Sequence, residues 1–137
     1  MTNYQYPEID FGDWDGNWLL IYLNVQSDLG HWQSHDPSLT TWEVKELIGW
    51  FTDLANNEKL KCNPIEFTEP NLSFEYFETS DSDKKFRMRF ALESRPQSAD
   101  TDNEYFVDFF YSLNGLKQLS ADLTNELDKF PERKIKR

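Results

Sequence analysis

Between Leu72 and Phe109, large apolar side chains recur at every second position in three separate runs: Leu72, Phe74 and Tyr76; Phe86, Met88, Phe90 and Leu92; Tyr105, Val107 and Phe109. A period of two places each run on one face of a strand. The spacing predicts a three-stranded antiparallel meander whose apolar face needs a cover. With the Thr79 to Asp83 loop closing the first hairpin, Glu75 falls opposite Arg87, and in the next hairpin Arg89 falls opposite Asp108. These read as ion pairs on the solvent face, each worth under about 1 kcal/mol. Phe77, Phe106 and Phe110 share that face and leave it less polar than a solvated surface. A covering element or a homo-oligomer would account for them.

The helices announce themselves differently. Thr40 with Glu43 three residues later forms a capping box, and Leu39 facing Val44 forms a hydrophobic staple. Val44, Leu47, Ile48, Phe51 and Ala55 follow at helical spacing, and Asn56-Asn57 supplies a left-handed exit. A second helix is predicted from about Asn114 to Phe130, with Ser112 or Asn114 as its cap. Leu116, Leu119, Leu123, Leu127 and Phe130 form its apolar stripe, and Pro131 ends it. Upstream, Trp18 to Val25 reads as a central strand apolar on both faces. Asp15-Gly16 reads as a two-residue turn that pairs Tyr6 to Trp14 back onto it. His31 to Asp36 reads as a short strand ending at Pro37, and Pro70-Asn71 as a tight turn. The order of elements implies an α+β fold: an antiparallel β-sheet, in one layer or two, with two amphipathic helices packed on it.

At 137 residues the chain fits a single domain spanning 1–137, with residues 132–137 expected as a frayed basic tail. An aromatic content of 16% argues against disorder. The longest apolar run, Trp18 to Leu23, falls far short of the roughly 20 residues that span a bilayer. Met1 to Glu8 shows neither the basic start nor the apolar stretch of a secretory signal, so a cytoplasmic location is expected. Cys62 is the single cysteine and reads as an inert packed thiol. The net charge of -11 repels nucleic acid and anionic membranes and favours cationic partners. Seven carboxylates and no Lys or Arg fall between Met1 and Val44, which makes that stretch an acidic half-field.

Catalytic and metal-binding patterns find little support. His31 and His35 lie four apart on an extended segment, about 13 Å along a strand, too far to share one zinc. Asp10, Asp13 and Asp15 with Asn17 resemble a calcium loop only in part, because Gly16 follows Asp15 directly and the twelfth loop position holds no Glu. Ser34-His35-Asp36 is consecutive on a strand, so neighbouring side chains point to opposite faces and cannot form a triad. Glu66, Glu69 and Glu75 could line a hydrolytic cleft, although spacing selects no pair. No Gly-rich loop cradles a phosphate, and no cofactor is implied.

Three segments carry a family likeness. Asp13-Trp14-Asp15-Gly16-Asn17-Trp18-Leu19, then Thr41-Trp42-Glu43-Val44, then Glu66-Phe67-Thr68-Glu69-Pro70-Asn71-Leu72-Ser73-Phe74 resemble the WapI family, and Leu127 and Phe130-Pro131 fit as well. The likeness runs from about Phe11 to Pro131. It implies an immunity protein, one that protects a bacterium by binding a toxin. A toxin nuclease must present cationic surface to its phosphate substrate, and an acidic protein can occupy that surface. The partner-binding face expected on these grounds comprises Asp10, Asp13, Asp15, Glu66 and Glu69, with Trp14 as an aromatic anchor. The alternatives are core packing for Trp14, Trp18 and Trp42, and, for the whole chain, an adaptor module or a carboxylate-pair hydrolase.

Overall fold

In the computed structural model, which describes residues 1–8, 14–96 and 103–133, the strands are β1 (Asn3–Tyr4), β2 (Trp18–Ser27), β3 (Gly30–Thr40), β4 (Leu72–Phe77), β5 (Lys84–Phe90) and β6 (Tyr105–Tyr111). Helix α1 (Thr41–Ala55) follows β3 and helix α2 (Leu113–Leu127) follows β6, with short 3-10 helices at Trp14–Asn17 and Leu92–Ser94. The strands form two antiparallel sheets in the orders β1-β2-β3 and β4-β5-β6, so the fold is α+β with the sheet in two layers.

Helix α1 starts where its local signals place it. The Thr40 hydroxyl accepts from the Glu43 amide and the Glu43 carboxylate accepts from the Thr40 amide, completing the capping box. The second Glu43 oxygen accepts from the Thr68 amide at 2.7 Å, which ties the helix start to the approach to β4. Asn57 makes the left-handed exit at φ 55°. Along the helix, Val44 joins a cluster with Leu19, Ile21, Val25, Trp32, Leu39, Leu72 and Phe90, while Leu47, Trp50, Phe51 and Leu54 join a second cluster with Ile65, Phe74, Phe86 and Leu116. One helix therefore supplies apolar surface to both sheets. Helix α2, capped by Ser112 onto the Gly115 amide, buries Leu116 fully and Leu119, Leu123 and Leu127 in part.

Several expectations need correction. The hairpin expected over Tyr6 to Trp14 is absent in its described part: β1 lies earlier, pairing Tyr4 with Leu19, and Asp15-Gly16 sits inside a 3-10 helix. The turn is fixed instead by Asn17, fully buried, whose amide bonds the Thr41 hydroxyl and the backbone of Arg133. Arg133, expected in a frayed tail, is thus docked. Strand β3 continues through Pro37 to Thr40, because it is an edge strand and its register with β2 shifts between Leu19 and Leu20. Strand β2 is central, but one face is buried at Leu19, Ile21 and Val25 while the other is buried at Trp18 and exposed at Tyr22. Cys62 is exposed rather than packed. Leu92 leaves the strand pattern, exposed at φ 52° in the second 3-10 helix.

The meander forms, with one error of register. Glu75 pairs with Arg87 across β4 and β5 as expected, but Arg87, not Arg89, faces Asp108. Arg89 bonds Glu75 and Glu104 instead. On the same face Arg87 lies over the Phe106 ring at 3.9 Å, and Lys85 over Phe77 at 5.2 Å and over Phe110 at 5.9 Å, so cations of the sheet itself lie over all three phenylalanines. Phe110 remains 61% exposed.

Candidate partner-binding surface

A cleft of about 430 Å³ opens where the two sheets meet. Each wall comes from an element with its own reason to be there. Asp15 is held by the 3-10 helix that Asn17 anchors. Asp36 comes from β3, where Trp32, Ser34 and Asp36 alternate onto the inward side of the ladder and Asp36 pairs with buried Ile21. A half-buried carboxylate therefore stands at the margin of an apolar core. Glu69 and Asn71 come from the turn into β4, and Glu93 from the Leu92–Ser94 helix. Trp18 closes the remaining side.

The two latter segments are locked together. The Ser94 hydroxyl lies 2.5 Å from the Asn71 carbonyl and 2.6 Å from that of Ala91, and the Ala91 amide donates to the Asn71 carbonyl at 2.9 Å. Trp32 Nε1 donates to the Ser94 carbonyl at 2.8 Å, tying the assembly to the first sheet. Trp32 itself meets Phe90 and Tyr105 edge to face. The cleft is preformed by these contacts.

Its electrostatics are one-sided. Asp15, Asp36, Glu69 and Glu93 line it, and among the described residues no Lys or Arg does and none of the four carboxylates has a salt bridge. Asn71 is 3% exposed, and its buried Oδ1 has no hydrogen-bond partner, while its Nδ2 reaches the Ser38 hydroxyl only at 3.5 Å. Ion pairing is concentrated elsewhere: the hydrogen bond from Arg87 is the main cause holding the Asp108 carboxyl below the ordinary carboxylate range.

Of the residues expected on a partner-binding face, the cleft brings Asp15 and Glu69 together. Glu66 is exposed but lies outside the lining. Asp10 and Asp13 lie outside the described residues, and of Trp14 only its place in the 3-10 helix is described. Trp18 is buried and Trp42 half-buried beside a second, larger cleft of about 560 Å³. That cleft mixes Lys45 and Lys61 with Glu46, Asp53 and Glu132 and carries no net sign of comparable strength. Sequence reasoning missed Asp36, Glu93 and the orphaned Asn71 oxygen. Asp36 alone had a visible signal, an acid two positions beyond Ser34 on the inward side of a strand that starts with Trp32.

Glu75, grouped earlier with Glu66 and Glu69 as a hydrolytic set, is engaged by Arg89 at 2.6 Å on the outer sheet face. His31 and His35 bond different neighbours, Asn24 and Thr2. Among the described residues no group of three or more His, Cys, Asp or Glu is arranged to hold a metal ion, and no helix is long and apolar enough to cross a membrane.

Fold and cleft together define an α+β protein with an anionic recess between two sheets. The chain belongs to the Immunity protein WapI-like family, whose pattern it matches over residues 1–131. Membership in an immunity protein family implies a protein partner. No curated protein and no solved structure gives a significant match to the chain.

Proposed function

We propose that this chain is a cytoplasmic immunity protein that binds a cognate bacterial toxin in a stoichiometric complex and neutralises it without catalysis. The family match over residues 1–131 carries the reading. The charge of -11 and a cleft with four carboxylates supply a physical means, because they attract a protein whose working surface is cationic, as that of a nuclease must be. The face proposed to meet the toxin includes Asp10, Asp13, Trp14, Asp15, Glu66 and Glu69. A carboxylate-pair hydrolase fits less well, since an acid catalyst needs a sheltered carboxyl and Asp15, Glu69 and Glu93 are exposed.

Co-expression with a toxin encoded beside it should restore growth, and the purified pair should elute as a complex of fixed ratio. Replacing Asp13 and Asp15 by Lys should slow association most at low salt, because long-range attraction is what screening removes. Turnover of a small substrate by the purified chain, lost when two cleft acids are neutralised, would overturn the reading.

A further inference from the structure

Two three-stranded sheets have four edge strands, and a bare edge invites pairing with another chain. Three of the four are blunted. Strand β1 is two residues long, and β3 carries Pro37 and is tied to the Leu92–Ser94 helix through Trp32. Beside β4 the chain covers its own edge. Ile65 exchanges backbone bonds with Phe74 at 2.9 and 3.1 Å, and the Asn63 side chain donates to the Tyr76 carbonyl at 3.0 Å and accepts from its amide at 2.9 Å. Strand β6 has no such cover among the described residues. Every second residue of an antiparallel strand turns its N–H and C=O away from its neighbour, and between Phe106 and Tyr111 these outward groups meet no hydrogen-bond partner among the described residues. Nor does the sequence guard this edge. It holds no Lys, Pro or Gly, and its one charge, Asp108, is taken by Arg87 and Lys85. Tyr105, Phe106, Phe109, Phe110 and Tyr111 make β6 the most aromatic strand, yet none of its seven residues is buried.

We propose that β6 is a self-association edge: two copies of the chain pair their β6 strands antiparallel about a twofold axis and join their second sheets into one of six strands. Charge selects a second copy over a cationic toxin. Around β6, Lys85, Arg87 and Arg89 are matched by Glu75, Glu104 and Asp108, so this face is balanced on a chain whose net charge is -11. A cationic partner finds no excess of acid there. Two copies of the chain, which repel elsewhere, meet here with least repulsion. Phe110, 61% exposed in one chain, gains a cross-strand neighbour. The pairing also closes on itself. The outer edges of the joined sheet are the two β4 strands, each covered by Asn63 and Ile65, so assembly stops at two copies and does not grow into a filament. Both apolar clusters are assembled within one chain, so the copies part on dilution without unfolding. Pairing of this kind is separate from toxin binding, and either can occur without the other.

Sedimentation of the whole chain over a range of concentrations should show a monomer in equilibrium with a dimer and no larger species. Added salt should tighten the dimer by screening the repulsion between two chains of charge -11. Phe110→Lys places a charge on the open edge and should weaken dimerisation about tenfold, because the change is made on both sides of the twofold axis. Tyr22→Lys, at an exposed site on the first sheet, should leave it unchanged. Amide hydrogen exchange of the wild type needs no variant: alternate amides between Phe106 and Tyr111 should exchange slowly at high concentration and fast on dilution, with β5 protected at both. A monomer at every concentration, a dimer whose outward β6 amides exchange freely, a dimer loosened by salt, or equal loss in the two variants would overturn the assignment. So would β6 amides that become slow only when a toxin is added, which would give the edge to that partner.

Discussion

Arg87 grips Asp108 with two hydrogen bonds, Nε to Oδ1 at 2.7 Å and Nη2 to Oδ2 at 3.1 Å, and Lys85 stands 3.8 Å away. The bond from Arg87 is the first cause of the lowered Asp108 pKa, opposed by partial burial and reinforced by the charges of Arg87, Lys85 and Arg89. A carboxyl held below its unfolded value stabilises the fold above that unfolded value, and this support is lost as pH falls through the folded one. The gap in urea midpoint between wild type and Asp108→Asn should therefore be widest above about pH 4 and shrink at lower pH. Parallel curves across that range would show that the pair contributes nothing through ionisation. Glu43 works at the same scale with no salt bridge among the described residues: a buried carboxylate shared between the Thr40 and Thr68 amides joins a helix start to a distant turn.

Among the elements, the second sheet and α1 meet through aromatic rings, and Phe86 sits at their centre. It stacks on Phe109 at 5.0 Å and on Tyr111 at 5.6 Å while tilting against Phe51 at 5.1 Å. Phe86→Ala should cost about 3–5 kcal/mol, since the sheet cannot collapse around the lost ring, whereas Phe110→Ala on the exposed side should stay within about 0.5 kcal/mol. Chemical denaturation of both variants at unchanged m-value checks the contrast. Elements like these were legible because their causes are local. The Thr40 and Glu43 cap lies within four residues, and the alternation from Leu72 to Tyr76 needs no knowledge of its neighbours. The pairing of Arg89 with Asp108 failed for the opposite reason. The length of chain between β5 and β6 is taken up partly by the Leu92–Ser94 helix, pinned by Trp32 and Asn71 from elsewhere in the fold, and that shifts the ladder by two residues. The candidate site divides the same way. Asp15 and Glu69 were visible as acids within the family-like segments, but Asp36 and Glu93 reach the cleft only through tertiary packing that no spacing encodes.

At the scale of the whole molecule, the most distant parts of the chain converge on Asn17. Its oxygen accepts from the Thr41 hydroxyl at the start of α1 and from the Arg133 amide, and its nitrogen donates to the Arg133 carbonyl at 2.9 Å. The Arg133 guanidinium then lies 3.6 Å over the Tyr4 ring and bonds the Tyr6 carbonyl, while Phe130 meets Tyr4 edge to face. The segment after α2 thus closes over β1 and over the turn that carries Asp15 into the cleft. Burial is the main cause raising the Tyr4 pKa, and it prevails over the nearby Arg133 charge, which acts the other way. Ending the chain at Pro131 removes the Arg133 partner and takes from the buried Asn17 amide the acceptor of its nitrogen while the Thr41 bond to its oxygen remains, a loss of about 1–3 kcal/mol. For a protein of this size that amounts to about 4 °C in Tm for each kcal/mol. Asn17→Ala should cost a similar amount, and the two changes together should cost clearly less than their sum, because each removes the same bond. Thermal unfolding of the four members of this cycle checks it. Additive losses would show that Arg133 and Asn17 act independently, and the closure of the fold would then rest on the Tyr4 and Phe130 rings instead.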